Sequence, residues 1–236
     1  MALYRDQGIV LRTYKLGEAD RIVSFITERH GKVRAVAKGV RKTKSKFGAR
    51  LEPMSHVALQ LYEGRELDIV TQAESIDHFK AIREDLDRLT RAVTMLEAAD
   101  QLSLEREPNP DMYRMLLGAL RTLAADNSAL VVAGFHWKLL ALEGFRPMVE
   151  ACVVCNEPDG LVAFDPTEGG LLCGAHRRGT RVSPEAVELL QQILGGRLSQ
   201  ALTAPASPAT HEVDHLATRV MEHHLERRLR SVGLLE

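Results

Sequence analysis

Apolar residues recur at every second position as far as about residue 76, and at every third or fourth from residue 79 onward. A chain that changes period once in this way is restricted to a strand-built part followed by a helix-built part. In the first part, Ile9, Val10 and Leu11 open a run continued by Ile22, Val23, Phe25 and Ile26. Val33, Ala35 and Ala37 then alternate with Lys32, Arg34 and Lys38, a period of two that gathers the cations on one face. Val57, Leu59 and Leu61 alternate again, and Leu67, Ile69 and Thr71 complete the set. Gly17, His30 with Gly31, and Glu63 with Gly64 supply the turns. Five short strands in so little chain suit a small closed barrel of the OB type, whose grooves commonly hold nucleic acid; an SH3-like barrel satisfies the same pattern.

From residue 79, Phe79, Ile82, Leu86, Leu89, Val93 and Leu96 describe one face of an amphipathic helix. Asn109, Pro110 and Asp111 read as the start of a second, with Met112, Met115, Leu116, Ala119 and Leu123 on its buried side. A third is predicted over 129–143 with Gly144 as its stop, and a fourth from Ser183 and Pro184 to Gly195 and Gly196. The stretch 199–210 is rich in Ala, Pro, Ser and Thr and reads as a linker. A last helix is expected from Thr210 towards Leu229. No internal repeat is visible. The fold class expected is α+β, with a five-stranded OB-fold-like barrel over 1–78 and a helical domain over 79–148. A zinc-ribbon-like module is inserted at 149–180, and helices over 181–236 complete the helical domain.

The strongest chemical signal is Cys152 and Cys155, then seventeen residues, then Cys173 and His176. All three cysteines of the chain are in it. Two residues between ligands let a tight turn aim both donors at one ion, and two such turns complete a tetrahedral site. Leu161–Phe164 and Gly170–Leu172 are predicted to pair as a hairpin between the two ligand turns, closed by Asp165–Gly169. Four protein ligands leave no position for water, so one structural zinc per chain is expected rather than a catalytic one. A redox role for Cys152 and Cys155 would want a βαβ setting, which is missing.

Near the C-terminus, His211, Glu212 and His215 satisfy the H-E-x-x-H pattern of zinc metalloproteases, with Glu236 as a nominal third ligand. The motif follows the linker directly, and little chain remains to build a substrate cleft. A solvated helix face is the expectation. No P-loop and no nucleophile elbow occurs, and Glu18 with Asp20 is too commonplace a pair to mark a nuclease magnesium site. The chain is expected to be no enzyme.

The total charge of −1 conceals a division. Residues 1–50 hold 13 Lys and Arg against 4 Asp and Glu, and the remainder holds 18 against 28. The excess concentrates in Arg29, Lys32, Arg34, Lys38, Arg41, Lys42, Lys44, Lys46 and Arg50, an interval with no acidic residue. Such a run suits phosphate binding, since each neutralised phosphate releases condensed counterions. On strand alternation, Lys32, Arg34 and Lys38 would follow a nucleic-acid backbone, while Arg41 to Arg50 reads as a mobile loop. Tyr14, Phe25, Phe47 and Tyr62 are the aromatics available to stack bases, Phe25 being the one whose apolar run points to the core. Many cations and few aromatics favour backbone contact over base readout. No apolar run approaches the roughly 20 residues of a membrane helix, and the start MALYRDQG has no secretory h-region. A cytoplasmic protein without membrane contact is therefore expected.

Several stretches occur in a telling order: Gly8 to Leu11 with Glu18 to Asp20 downstream, then Ala37 to Arg41 before the basic loop. Further on come His136 to Leu140, Gly144 to Pro147 leading into Cys152 and Cys155, and Phe164 to Gly170 before Cys173. Across about residues 1–180 this resembles the RecO family of bacterial DNA repair and recombination-mediator proteins. The resemblance implies an N-terminal OB-fold, a helical domain and an inserted zinc module, with His176 standing where many relatives carry Cys. It also implies binding to ssDNA and dsDNA, annealing of complementary strands, and loading of a recombinase onto strands coated by single-strand-binding protein, in concert with RecR and RecF. The alternative reading from the residues is a zinc-ribbon transcription or RNA-binding regulator.

Overall fold

A computed structural model describes residues 2–231. The chain forms two compact units, one running through Ala125 and the other beginning at Asp126. The period change at residue 79 thus marks where strand gives way to helix, while the first unit keeps three helices beyond it.

In the first unit, β1 (Leu3–Leu16), β2 (Asp20–Thr27), β3 (Gly31–Ala37), β4 (His56–Tyr62) and β5 (Asp68–Asp77) close a barrel in the order β1-β2-β3-β5-β4. All pairings are antiparallel except that of β3 with β5. This is an OB-like order, which decides between the two barrels that the alternation allowed. Val10, Val23, Phe25, Val33, Ala35, Val57, Leu59, Leu61 and Val70 fill the interior. Phe47 and Leu51, from a 3-10 turn at Gly48–Leu51, join that core and are each 1% exposed. The segment expected to be a mobile loop is therefore anchored at its far end, because burying a phenyl ring outweighs leaving the chain free. Phe25 and Phe47 are removed from the base-stacking candidates, while Tyr14 and Tyr62 stay exposed.

The single amphipathic helix expected from residue 79 is two. A short α1 (Lys80–Arg83) breaks, and α2 (Leu86–Leu102) restarts where the Asp85 carboxylate accepts the backbone N–H of Arg88. Leu86, expected on the buried face, is exposed in the first turn, and Ala92, Met95, Leu96 and Ala99 form the buried stripe instead. The third helix, α3 (Pro110–Ala125), begins as anticipated, with the Asn109 side chain accepting the N–H of Met112.

A charge fixes α2 to the barrel. Asp100 is 4% exposed, and its carboxylate meets Nε of Arg12 on β1 at 2.8 Å and Oγ of Ser24 on β2 at 3.4 Å. Nζ of Lys32 on β3 lies 3.6 Å from the same carboxylate and donates to the Asp100 carbonyl at 2.6 Å. The chain leaving α2 then runs beside β3, where the N–H of Arg106 donates to the Lys32 carbonyl at 2.9 Å. This approach is why position 31 is glycine. Its φ is +67°, and a Cβ there would stand 1.9 Å from the carbonyl oxygen of Glu107.

In the second unit, α4 (Val131–Leu142) ends at Gly144, whose φ of +89° suits the left-handed position past a helix end. A hairpin of β6 (Leu161–Asp165) and β7 (Gly170–Cys173) follows, extended on the β6 side by β8 (Thr180–Arg181). Next come α5 (Pro184–Leu194), capped by Ser183, then α6 (Leu198–Ala201) and α7 (Pro208–His224). The expected linker at 199–210 is thus shorter. A capping box between Ser207 and Thr210, with Pro208 in the first turn, starts α7 inside it. Trp137 of α4 packs on Phe164 of β6 with ring centroids 5.7 Å apart. Among the described residues, no helix is long and apolar enough to cross a membrane.

His136 is fully buried in α4, and neither ring nitrogen has a hydrogen-bond partner among the described residues. Burial lowers its pKa to about 4. Protonation therefore favours the unfolded chain, where an imidazole titrates near 6.5. The contribution of neutral His136 is complete above that pH and is lost as pH falls towards 4, by about 3 kcal/mol. Denaturant titrations across this window should show stability falling with pH in the native chain. His136→Leu should remove most of that slope; an unchanged slope in the variant contradicts the assignment.

Candidate metal centre and nucleic-acid interface

The metal cluster is assembled by backbone before any ion is considered. After α4, Met148 and Leu171 exchange hydrogen bonds with neighbouring backbone: the N–H of Met148 donates to the Gly169 carbonyl, and the N–H of Leu171 to that of Met148. The N–H of Val153 donates to the Leu171 carbonyl, which lays the first ligand turn along β7. That turn closes when the N–H of Asn156 donates to the Cys152 carbonyl at 2.8 Å, with Asn156 at a φ of +61°. The second turn is a 3-10 turn, Gly174–His176, directly after Cys173.

These turns bring four donor atoms within 4.8 Å of one another: Sγ of Cys152, Cys155 and Cys173, and a ring nitrogen of His176. Cys155 Sγ and Cys173 Sγ are 3.7 Å apart, Cys152 Sγ and His176 Nδ1 3.7 Å, and Cys173 Sγ and His176 Nδ1 3.3 Å. A disulfide needs about 2.05 Å, whereas a tetrahedron with metal–sulfur bonds of about 2.3 Å has edges of about 3.8 Å. The cluster therefore fits a metal ion and no disulfide. Burial opposes ionisation of Cys152, yet hydrogen bonds from the backbone at Cys173, Cys155 and Val154 bring its pKa down to about 6. The hydrogen bond with His176 lowers Cys173, and the same thiols raise His176. Cys155 goes the other way: the backbone at Glu157 lowers its pKa, but burial and the hydrogen bonds with Cys152 and Cys173 raise it on balance. A metal takes thiolates and a neutral imidazole, so it is the placement of the four donors that points to an ion.

The H-E-x-x-H residues do something else. His211 and His215 are exposed on α7, and the Glu212 carboxylate accepts the N–H of Ser183 at 2.8 Å, tying α7 to the start of α5. The Cys152 cluster is the one metal-competent group among the described residues. Glu236 lies outside the described residues.

In the first unit, Arg29, Lys38, Arg41, Lys42, Lys44, Lys46 and Arg50 are exposed, whereas Lys32 and Arg34 are half-buried on β3. Lys32 serves Asp100, as described above, and Arg34 Nη1 lies 3.3 Å from a Glu105 oxygen. Three of the exposed set are positioned by neutral acceptors instead. Arg41 donates to the Gly17 carbonyl at 3.1 Å, Lys46 to that of Thr71 at 2.9 Å, and Arg50 to those of Lys46 and Phe47. Gly39 donates its N–H to the Asp20 carboxylate at 2.7 Å, and Arg41 its own to the Ala19 carbonyl, so the loop is stitched to the β1–β2 turn. The Asp20 carboxylate thus serves as a backbone acceptor that holds the loop. Asp100 was missed from the sequence, since nothing local distinguishes a buried helical Asp from a solvated one.

Comparison with family models covers nearly the whole chain: "Recombination protein O N terminal" matches residues 1–79 and "Recombination protein O C terminal" residues 83–232. The chain belongs to the RecO family. A relative from Nocardioides sp. (strain ATCC BAA-499 / JS614), named DNA repair protein RecO, is 45% identical over 244 residues, spanning 99% of both chains. A second of that name, from Bifidobacterium adolescentis, is 43% identical over 246 residues and spans 100% of both. Family membership and the barrel converge, because the N-terminal family region and the strand-built segment end within a few residues of each other.

The cluster makes a discriminating expectation. Elemental analysis of protein purified without chelator should find one metal ion per chain, also in His215→Ala, and none in Cys173→Ser. Metal retained by Cys173→Ser and lost from His215→Ala would transfer the site to α7.

Proposed function

We propose that this chain is a DNA-binding recombination mediator with no catalytic turnover. It binds ssDNA and dsDNA through the barrel's cations, anneals complementary strands, and assists recombinase loading in DNA repair. The observation that carries this reading is the exposed set Arg29, Lys38, Arg41, Lys42, Lys44, Lys46 and Arg50, of which Arg41, Lys46 and Arg50 direct their side-chain hydrogen bonds to carbonyl groups. A cation held by a carbonyl keeps its full charge for a phosphate, whereas one paired with a carboxylate must first break that pair. Arg34, facing Glu105 at the surface, joins the set when a phosphate competes for it, and Lys32 braces α2. Annealing follows from charge. Two polyanions approach each other when an accessible surface neutralises both, and the exchange needs no nucleotide hydrolysis.

The metal in this reading is zinc, held by Cys152, Cys155, Cys173 and His176. A closed set of three thiolates and one imidazole is a structural site, which lends folding energy to the module over 149–180 and supplies no water for hydrolysis. RecR, RecF and single-strand-binding protein are the partners that the family resemblance brings, in a cytoplasmic setting.

Strand annealing of complementary oligonucleotides should proceed without ATP, and Lys42→Glu, Lys44→Glu and Lys46→Glu combined should weaken DNA binding at least tenfold. Contact with six phosphates gives a log–log salt slope of roughly −4 to −5, and the triple reversal should flatten it by roughly 2 to 3. A slope near zero in the native chain, or one untouched by the reversal, refutes the electrostatic surface.

A further inference from the structure

The outward residues of the barrel fall into rows that the strand registers define. Ile9, Ile26 and Lys32 pair across β1, β2 and β3 in one row, and both isoleucines are fully buried although they lie outside the barrel's core cluster. There α2 and α3 pack against the strands. The next row, Arg12, Ser24 and Arg34, is the margin at which Asp100 is held. One step further, Tyr14 pairs with Ile22, Ile22 with Val36, and Val36 with Ile69 of β5. Among the described residues, no helix of this unit covers that row: Tyr14 is 43% exposed, and Ile22, Val36 and Ile69 are half-buried.

The strip is apolar along its length and cationic at its borders. The Arg12 guanidinium sits 5.0 Å from the centroid of the Tyr14 ring. On β3, Val36 is flanked on the same face by Arg34 and, just past the strand end, by Lys38. The loop carrying Arg41, Lys42 and Lys44 is tied to the turn that follows β1, just beyond Tyr14. A ligand matching this surface needs flat apolar faces and a polyanionic chain together. Duplex DNA has the second and hides the first inside its stack. Single-stranded nucleic acid offers both.

We propose that the Tyr14–Ile22–Val36–Ile69 strip is a base-contact platform for single-stranded DNA, with Tyr14 as the stacking residue and Lys38, Arg41, Lys42 and Lys44 holding the phosphates. This rests on the DNA-binding reading above and deepens it: phosphate contact gives affinity for any strand, and the strip makes the protein prefer unpaired bases.

Full-length protein is titrated by fluorescence anisotropy with three probes: an oligothymidylate, an abasic oligonucleotide of the same length, and a duplex. The native chain should bind oligothymidylate more tightly than the abasic strand. Tyr14→Ala should cost between about fivefold and a hundredfold on oligothymidylate, leave the abasic strand and the duplex within twofold, and leave the salt slope unchanged. Tyr14→Phe, which keeps the ring, should retain native affinity. Equal native affinity for thymidylate and abasic strands, or an equal loss on all probes in Tyr14→Ala, overturns the platform while the phosphate surface stands. A native chain that binds none of the probes overturns the DNA-binding reading itself and the platform with it.

Discussion

Asp100 is a carboxylate taken out of water, and three strands of the barrel compensate it. An unpaired charge at that depth would cost several kcal/mol, so Arg12, Ser24 and Lys32 must present their donors together, and they do so only when β1, β2 and β3 are in register. The contact thus couples the seat of α2 to the closure of the barrel. It also removes Lys32 from the basic surface, and it sets the line on the outer wall at which helix cover ends. Everything proposed for the open wall begins at that line.

On the far side of the line, side chains are placed by weaker means. Arg41, Lys46 and Arg50 of the 38–50 loop are oriented by carbonyl acceptors, and the loop itself is held by the Gly39 and Arg41 bonds to the β1–β2 turn and by Phe47 in the core. Position is therefore secured without charge neutralisation. This is the electrostatic condition for a surface that must bind phosphates and release them, since a pre-existing carboxylate partner would compete with every strand. In the second unit the metal cluster follows another logic. The hairpin buries Phe164, Leu171 and Leu172, while the two ligand turns are irregular backbone that four ligands on one ion would cross-link.

Much of this was legible in the residues, and the reason differs from place to place. The ligand set Cys152, Cys155, Cys173 and His176 could be read directly, because metal spacing is a local property of two tight turns. Helix starts at Pro110 and Pro184 were legible for the same reason, a cap being written within four residues. The strand count followed from alternation, whereas the choice between two barrel types waited on which strands close the ring. The break after Arg83 and the early start of α7 went unseen, because Asp85 and Ser207 act as caps only once their chains have turned.

The sequence by itself determined the order of strand, helix and metal module, the segregation of charge, and the family to which the chain belongs. These are carried by local periodicity, spacing and composition. Only the tertiary structure decided which of nine clustered cations stay free, and why Phe47 is core while Tyr14 is surface. Only there does a helical aspartate anchor the barrel, and only there does one row of outward side chains remain open. Such outcomes depend on which distant groups arrive at each position, and a lysine on a strand carries no local mark of the aspartate, sixty-eight residues on, that will meet it.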